Sequence, residues 1–463
     1  MQLIATDNRT VVVGLGMTGL SVARYLASRQ RPFAVVDSRE EPPGLDQFRS
    51  EFPGVLLTLG AISDEALQGA ATLVVSPGVG LDEPAISRAI AAGAKVCGDI
   101  DLFREEVSAP IVAITGSNGK STVTTLVGEM ARHCGRRVAV AGNIGLPVLD
   151  LLRQNEQPEL YVLELSSFQL ERCENLRAEV ATVLNLSADH MDRYSGMVAY
   201  HQAKHRIFRG CKQAVINRGD NLSNPLVSDQ VALWSFGLDK PDFHGFGLIE
   251  KEGVEYLAYQ FEPLLPVSSL KIAGRHNIEN ALAALALGMA VGLPLVGMVE
   301  ALEQFAGLPH RCQFVAERDG VRFYNDSKGT NVGATIAAIQ GLAGQGPVDQ
   351  ELNGKTASIV LIAGGIGKGA DFAPLAPVMK KYCKAVVLIG ESAGAIGAQC
   401  DQSITTRRAD SMDEAVALAA ELAESGDQVL LSPACASFDM FENYQHRGDQ
   451  FAAAVHELAG GVC

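Results

Sequence analysis

No run of apolar residues in this chain approaches the roughly 20 needed to span a bilayer. The first ten residues, MQLIATDNRT, lack the basic and apolar regions of a secretory signal. Both absences point to a soluble, cytoplasmic protein with no membrane partner. Cations are scarce as well: 38 Lys and Arg stand against 53 Asp and Glu, a formal net charge of −15. That balance argues against a general nucleic-acid binder, which captures phosphate backbones with widely spread Lys and Arg. If the ligands are anionic, positive charge must be concentrated locally. The nine cysteines (97, 134, 173, 211, 312, 383, 400, 435 and 463) include no close-spaced metal pairs and are scattered among apolar segments, so reduced and mostly buried thiols are expected. Short-period repeats and long low-complexity tracts are also missing.

What the chain does have is length and apolar content: 463 residues, 47% apolar, enough for two or three cores. Short β-rich runs alternate with Ala-rich amphipathic stretches from residue 10 onward: TVVVGLG, MTGLSVARYLASR, PFAVVD, TLVVSPG. That rhythm predicts parallel sheets with crossover helices, an α/β fold. EEVSAPIV reads as a linker, and a second series of units runs from IVAITGSNGKST to QAVINR. A turn-rich, antiparallel stretch is expected over about 232–272, before a helix at HNIENALAALALGMAVG. The break near GLPHRC opens a third series, with RFYNDSKGTN, SIVLIAGGIG, AVVLIG and QVLLSPA as strands. These breaks divide the chain at 1–108, 109–306 and 307–463. GLAGQGPVDQELNGKT reads as an exposed loop.

Two stretches have the mechanics of phosphate loops. In ITGSNGKSTVTTL, following the apolar run APIVAIT, backbone N–H groups can curl around phosphate oxygens, with glycines for close approach, a Lys for the outer phosphates and a hydroxyl for Mg²⁺. Gly116, Ser117, Asn118, Gly119, Lys120, Ser121 and Thr122 form this loop, a shortened relative of the common pattern. The other stretch, GLGMTG at 14–19, has dinucleotide-fold spacing, and VVDS places Asp37 where such folds bind a ribose hydroxyl. It also suits the diphosphate of a UDP-sugar on the amides around Met17 and Thr18, with Asp37 toward the uridine and the SPG loop (Ser76, Gly78) as a second close approach. Plain tight turns are the third reading. Two phosphate-capable loops imply two phosphorylated ligands, whereas a dehydrogenase needs one.

Several residues between the loops carry candidate chemistry. Glu164 should end a central strand, where a carboxylate is either solvated or completes an Mg²⁺ shell begun by Ser121. His190 in SADHMDRY can ligate a second metal, donate to a phosphoryl oxygen or be an ordinary loop residue. Lys204 lies beside His201 and His205; it is either a solvated lysine or a neutral amine that takes up CO₂ as a carbamate. Asn277 and Asn280, at i and i+3, share a helix face. One of them can be a helix cap, or both can read an adenine edge. Arg311, Asp326 and Lys328 offer cations for phosphates and a carboxylate for a ribose.

TGSNGKST, ELSSFQLE, NLSADHMDRY with YHQAK, GRHNIENALAA, GLPHR, NDSKGTN, GGIGKGADF and LLSPACASFDMF follow one another in this order. Together they resemble the Mur ligases of peptidoglycan synthesis, over essentially the whole chain, most nearly the branch that adds D-glutamate. The resemblance implies three domains: a Rossmann-like domain for the UDP end of UDP-N-acetylmuramoyl-L-alanine, a central P-loop-type ATPase domain, and a Rossmann-like domain that receives D-glutamate. It implies ATP, two Mg²⁺ ions, an acyl phosphate intermediate, and a role in cell-wall synthesis and so in cell shape and division; a monomer is expected. Lys120, Glu164, His190 and Lys204 become the catalytic set. Ser121 and Glu164 are implied for one ion, His190 and a carbamylated Lys204 for the other, and Asn277, Asn280 and Asp326 for adenosine. Asp37, Ser76, Gly78, Asn143 and Gln169 are implied for the UDP-sugar path; Thr330, Lys368, Ser437, Phe438 and Tyr444 for D-glutamate. Ile366 departs from the polar residue frequent at its position, and the connection around 344–355 looks long.

Other enzymes compete with this reading: a sister ligase, a folylpolyglutamate synthase, or an NAD-binding oxidoreductase. A nucleotide-regulated binding protein represents a different class. SPG and HMDRY favour the D-glutamate branch over the first two. The oxidoreductase leaves ITGSNGKST and Glu164 unused, and the binding protein leaves His190 and Lys204 unexplained.

Overall fold

The computed structural model describes residues 9–154, 157–272, 274–343 and 359–458. They build three sheets. In the first, five parallel strands lie in the spatial order Leu57–Leu59, Phe33–Asp37, Arg9–Val13, Ala70–Val75, Lys95–Cys97. The valine runs at its centre are buried on both faces, as crossover helices on both sides require. The strand order reverses between Arg9–Val13 and Ala70–Val75, so the loops after these two strands flank one crevice. Ser76 Oγ donates to the Gly14 carbonyl across it at 3.0 Å. A Cβ on Gly19, in the helix Met17–Ser28, would lie 1.9 Å from that same carbonyl oxygen, so only glycine lets the helix approach so closely.

The central sheet has nine strands. Seven are parallel, in the order Val138–Gly142, Leu160–Glu164, Ile111–Thr115, Val180–Val183, Gln213–Asn217, Ala232–Phe236, Gly245–Lys251. Val254–Tyr259 and Glu262–Pro266 add antiparallel edge strands. The expected antiparallel stretch over 232–272 is therefore corrected: its first two strands, Ala232–Phe236 and Gly245–Lys251, extend the parallel sheet. The reversal comes only at Glu252–Gly253, where φ values of 54° and 77° make a two-residue hairpin turn. The helix Arg275–Ala290 packs on the helix Lys120–His133, and its residues Ala281 to Leu287 are all fully buried. A helix enclosed on nearly all sides has no polar stripe, which its Ala- and Leu-rich sequence reflects.

The third sheet runs Gln313–Arg318, Val321–Asn325, Gln428–Leu431, Ile359–Gly364, Cys383–Ile389, Thr405–Arg408, with only the first strand antiparallel. One core is continuous between the first sheet and one face of the central sheet; Phe103 meets Tyr161 edge-on at 5.0 Å within it. The third sheet has two core clusters of its own.

Three details qualify the sequence reading. Both glutamates of EEVSAPIV belong to the helix Asp99–Glu106, so the linker starts at Val107. Residues 341–343 of the Gly-rich segment finish the helix Val332–Ala343, and the rest, including 344–355, lies outside the described residues. The eight described cysteines are free thiols, and Cys463 is not described.

Candidate active site

The buried strand Ile111–Thr115 delivers the chain to Gly116–Gly119, and the helix opens at Lys120 with no side-chain cap, leaving its first amides to a ligand. Gly119 sits at the N-cap with φ 80°, and a Cβ there would come within 2.3 Å of Asn280 Oδ1, so glycine is required twice over. Asn185, unforeseen, pins the loop by accepting from the amides of Ser117 at 2.9 Å and Asn118 at 2.8 Å. Lys120 Nζ donates to the carbonyls of Gly116 and Ser117 at 2.8 and 2.9 Å. Burial lowers its pKa, against the attraction of Glu164 and Asp189.

Lys204 is not solvated. From the helix Met197–His205 its Nζ reaches the Gly116 carbonyl at 2.8 Å and Thr115 Oγ1 at 3.3 Å, over the Tyr200 ring at 4.8 Å. Burial drives its pKa well below the ordinary lysine value, and the nearby Lys120 charge adds to the effect. His201 and His205, its neighbours in sequence, point elsewhere: their rings stack at 3.9 Å and line a separate cavity.

Glu164 ends its strand with 2% exposure. Asn143 holds one side of it, donating from its amide to the Glu164 carbonyl and from Nδ2 to Oε1, both at 2.8 Å. Oε2 is buried and has no hydrogen-bond partner among the described residues. A buried anionic oxygen left unpaired is costly, and a cation answers that cost. Ser121 Oγ accepts from Arg311 Nη2 at 2.6 Å. Among the described residues no group of three or more His, Cys, Asp or Glu forms a cage. That donor set fits Mg²⁺, which takes one or two carboxylates and fills its shell with phosphate oxygens and water. His190 has φ 57°, and its ring packs edge-on against Phe168 at 4.9 Å. Burial lowers its pKa and so favours the neutral ring with a free lone pair, against the attraction of Asp189.

A cavity of about 260 Å³ beside the loop is bordered by Asn118, Gly119, Thr122, Asn277, Asn280, Arg311 and Asp326. The two asparagines are bonded to each other at 3.2 Å. Their helix begins at Arg275, after Gly274 at φ 96°, so neither is the cap. Asp326 accepts from Ser432 Oγ at 2.7 Å and the Cys312 amide at 3.2 Å, and burial pushes its pKa up to about 7.

The crevice of the first sheet opens into a larger cleft of about 840 Å³, bordered by Met17, Thr18, Asp37, Ser76, Gly78, Asn143, Gln169 and Tyr444. Asp37 is already engaged. Its oxygens accept from the Leu15 amide at 2.6 Å and from the Arg39 amide, Nε and Nη2 at 2.7 to 2.9 Å. Burial alone would raise its pKa, but these bonds outweigh it and hold the carboxyl below its ordinary value. Arg39 thus brings a cation to the cleft, and the only sequence signal for it is an arginine two residues after the aspartate. Lys328 borders both cavities; its ammonium lies 3.9 Å from the Tyr444 ring centre, and burial lowers its pKa to about 8.

Three neighbouring strands of the third sheet, ending at Asn325, Leu431 and Gly364, present NDSKGTN, SPACASF and GGIGKG side by side. Thr330, Lys368, Ser437 and Phe438 ride on these loops. Ile366 pairs with Ala436 through both backbone amides, at 3.0 and 2.9 Å, so its contribution here is made by the main chain. Lys368 holds φ 50° and its Nζ lies 3.5 Å from Asp189 Oδ1. Ser437 is buried, Phe438 is 71% exposed, and neither borders the two cavities. Tyr444 borders the large cleft together with the residues read for the UDP-sugar.

Comparison with known proteins matches each part of the chain in turn. Residues 8–98 match the Mur ligase MurD-like N-terminal domain, 114–288 the Mur ligase middle domain, and 310–435 the Mur ligase glutamate ligase domain. The UDP-N-acetylmuramoylalanine–D-glutamate ligase of Pseudomonas aeruginosa is 58% identical over 459 residues, covering 99% of this chain and all of that one. The enzyme of the same name from Marinobacter nauticus is 53% identical over 458 residues, with the same coverage. Among solved structures, MurF from Acinetobacter baumannii has the same fold, with a TM-score of 0.60 at 17% identity over 98% of this chain and 95% of that one. On these matches the chain belongs to the Mur ligase family, in the branch of the UDP-N-acetylmuramoylalanine–D-glutamate ligases.

Proposed function

We propose that the protein joins D-glutamate to UDP-N-acetylmuramoyl-L-alanine at the expense of ATP, a step of peptidoglycan synthesis. It acts as a monomer in the cytoplasm, where both nucleotides are made; among the described residues no helix is long and apolar enough to cross a membrane. The observation that carries this reading is the meeting of the two cavities at Lys328, beside the phosphate loop. A UDP-linked substrate in the large cleft can present its far end to a nucleotide in the small one.

A carboxylate is a poor electrophile and must be activated. The alanyl carboxylate oxygen attacks the terminal phosphorus of ATP, the bond to the bridging oxygen breaks, and ADP leaves. Two anions must approach for this, and Lys120, Arg311 and Lys328 supply the counter-charge. Ser121 and Glu164 would hold a Mg²⁺ ion that screens the phosphates and stabilises the charge of phosphoryl transfer. The amine of D-glutamate, held through its carboxylates by Lys368, Ser437 and Phe438 and oriented by Thr330, attacks the acyl phosphate. Phosphate leaves from the tetrahedral intermediate, the nitrogen loses a proton, and the amide remains.

Lys204 has the chemistry for carbamylation. Its burial favours the neutral amine, whose lone pair attacks CO₂; an N–C bond forms, a proton is lost, and an anion replaces the neutral amine. Together with His190 that anion would provide the second of two metal positions. The test of the whole reading is phosphate release from ATP with UDP-N-acetylmuramoyl-L-alanine, with and without D-glutamate.

A further inference from the structure

Asn331, the last residue of NDSKGTN, has none of the roles above, yet it is 7% exposed and meets three segments at once. Its Oδ1 accepts from the Ala334 amide at 2.8 Å, capping the helix Val332–Ala343. Its Nδ2 donates to Asn118 Oδ1 of the phosphate loop at 3.1 Å and to Asp189 Oδ2 at 3.2 Å. The other oxygen of Asp189 accepts from Lys368. The approach is close: a Cβ on Gly333, two residues on, would lie 2.9 Å from Ser187 Oγ and 3.4 Å from Asn118 Nδ2.

We infer that Asn331 and Asp189 are positioning residues that tie the placement of Lys368, and with it the hold on the acceptor carboxylate, to the phosphate loop. The inference rests on the ligase reading above and adds residues to it. The hydrogen bonds run from Asn118 through Asn331 and Asp189 to Lys368, crossing from the central sheet's loops to the third sheet's. Asp189 is largely buried, and its oxygens are shared among the asparagine amide on Oδ2 and, on Oδ1, the lysine ammonium and the His190 backbone N–H at 3.0 Å. Losing the Asn331 amide removes the hydrogen bond on Oδ2, so the carboxylate, held at Oδ1 by the His190 amide, can turn and shift Lys368. Lys368 is on a loop already held in a left-handed conformation, where few alternative rotations are open to it.

Asn331→Asp separates this role from simple capping. Aspartate caps a helix as well as asparagine does, so the Ala334 contact survives. The donor to Asp189 is replaced by a second carboxylate that repels it. The KM for D-glutamate should rise by about tenfold or more, as loss of a hydrogen bond to a charged group implies, while the KM for ATP moves by less than about threefold. Asn331→Ser, a capping residue too short to bridge, carries the same expectation and serves if the aspartate variant folds poorly. A D-glutamate KM within about twofold of wild type in both variants, or an equal rise in the KM of all three substrates, overturns the inference. Wild-type enzyme that ligates no D-glutamate defeats the ligase reading, and the inference with it. Wild-type enzyme that ligates normally beside unaffected variants defeats the inference alone.

Discussion

The Nζ atoms of Lys120 and Lys204 donate to one oxygen, the carbonyl of Gly116, each at 2.8 Å. Burial depresses the ionisation of both lysines, and the Lys120 charge depresses that of Lys204 further. They come from different elements: Lys120 opens the helix that follows the phosphate loop, and Lys204 lies on the helix Met197–His205. In the proposed mechanism the first meets phosphate and the second reacts with CO₂.

Lys120→Ala should cut acyl phosphate formation by about a hundredfold to a thousandfold, the usual loss when one electrostatic donor to a transition state is removed. Trapping the acyl phosphate by reduction, without D-glutamate present, measures this step alone. Turnover near the wild-type rate would contradict the loop's assignment.

Stripping bicarbonate and CO₂ from the buffer should lower activity if Lys204 is carbamylated, and adding bicarbonate should restore it. Lys204→Ala should lose activity and regain part of it with a small carboxylate such as formate in the buffer. Activity indifferent to bicarbonate, together with an unmodified amine in metal-loaded crystals, would count against the carbamate.

Asp326 carries a pH dependence whose sign is fixed. Its pKa rises from an ordinary 3.8 to about 7 in the folded chain, chiefly through burial, so between those values the folded state holds a proton that the unfolded state releases. Stability from this group is retained at low pH and is lost as pH rises toward 7. Asp326→Asn removes the penalty, so its melting temperature relative to wild type should climb by roughly several degrees between pH 5 and pH 8. A difference that is flat or falling with pH would show that the carboxyl ionises at its ordinary value.

Much of this was legible in the sequence because strand-end loops carry strong local signals. Gly119, Lys120 and Ser121 are read from the loop's own spacing, and the long buried runs LYVLE and IVLIAG mark their strands unaided. Gln313–Arg318 and Thr405–Arg408 are harder: they lie at sheet edges, largely exposed, and edge strands need no apolar alternation. Asp189, Asn185 and Asn331 are polar residues in loops, and nothing local shows that Asn185 meets the phosphate loop or that Asn331 meets Asp189. The direction taken by Lys204, away from His201 and His205, is a matter of helix face that emerges only once the helix packs.

Lys368→Ala should raise the D-glutamate requirement strongly, since contacts to a charged group contribute about 1.5 to 3 kcal/mol, or roughly tenfold to a hundredfold in KM. The KM values for ATP and for UDP-N-acetylmuramoyl-L-alanine should move much less. Equal changes in all three would assign Lys368 to the fold or to the phosphoryl step instead.

The central claim is the reaction itself, and acceptor competition tests it most directly. Enzyme supplied with ATP, Mg²⁺ and UDP-N-acetylmuramoyl-L-alanine is offered D-glutamate, L-glutamate, L-lysine and meso-diaminopimelate together, and the products are separated by mass and chirality. The account predicts phosphate release that depends on the acceptor and a product that is overwhelmingly the D-glutamyl amide. Preferred ligation of any of the other three, or ATP turnover with no amide formed, would contradict it.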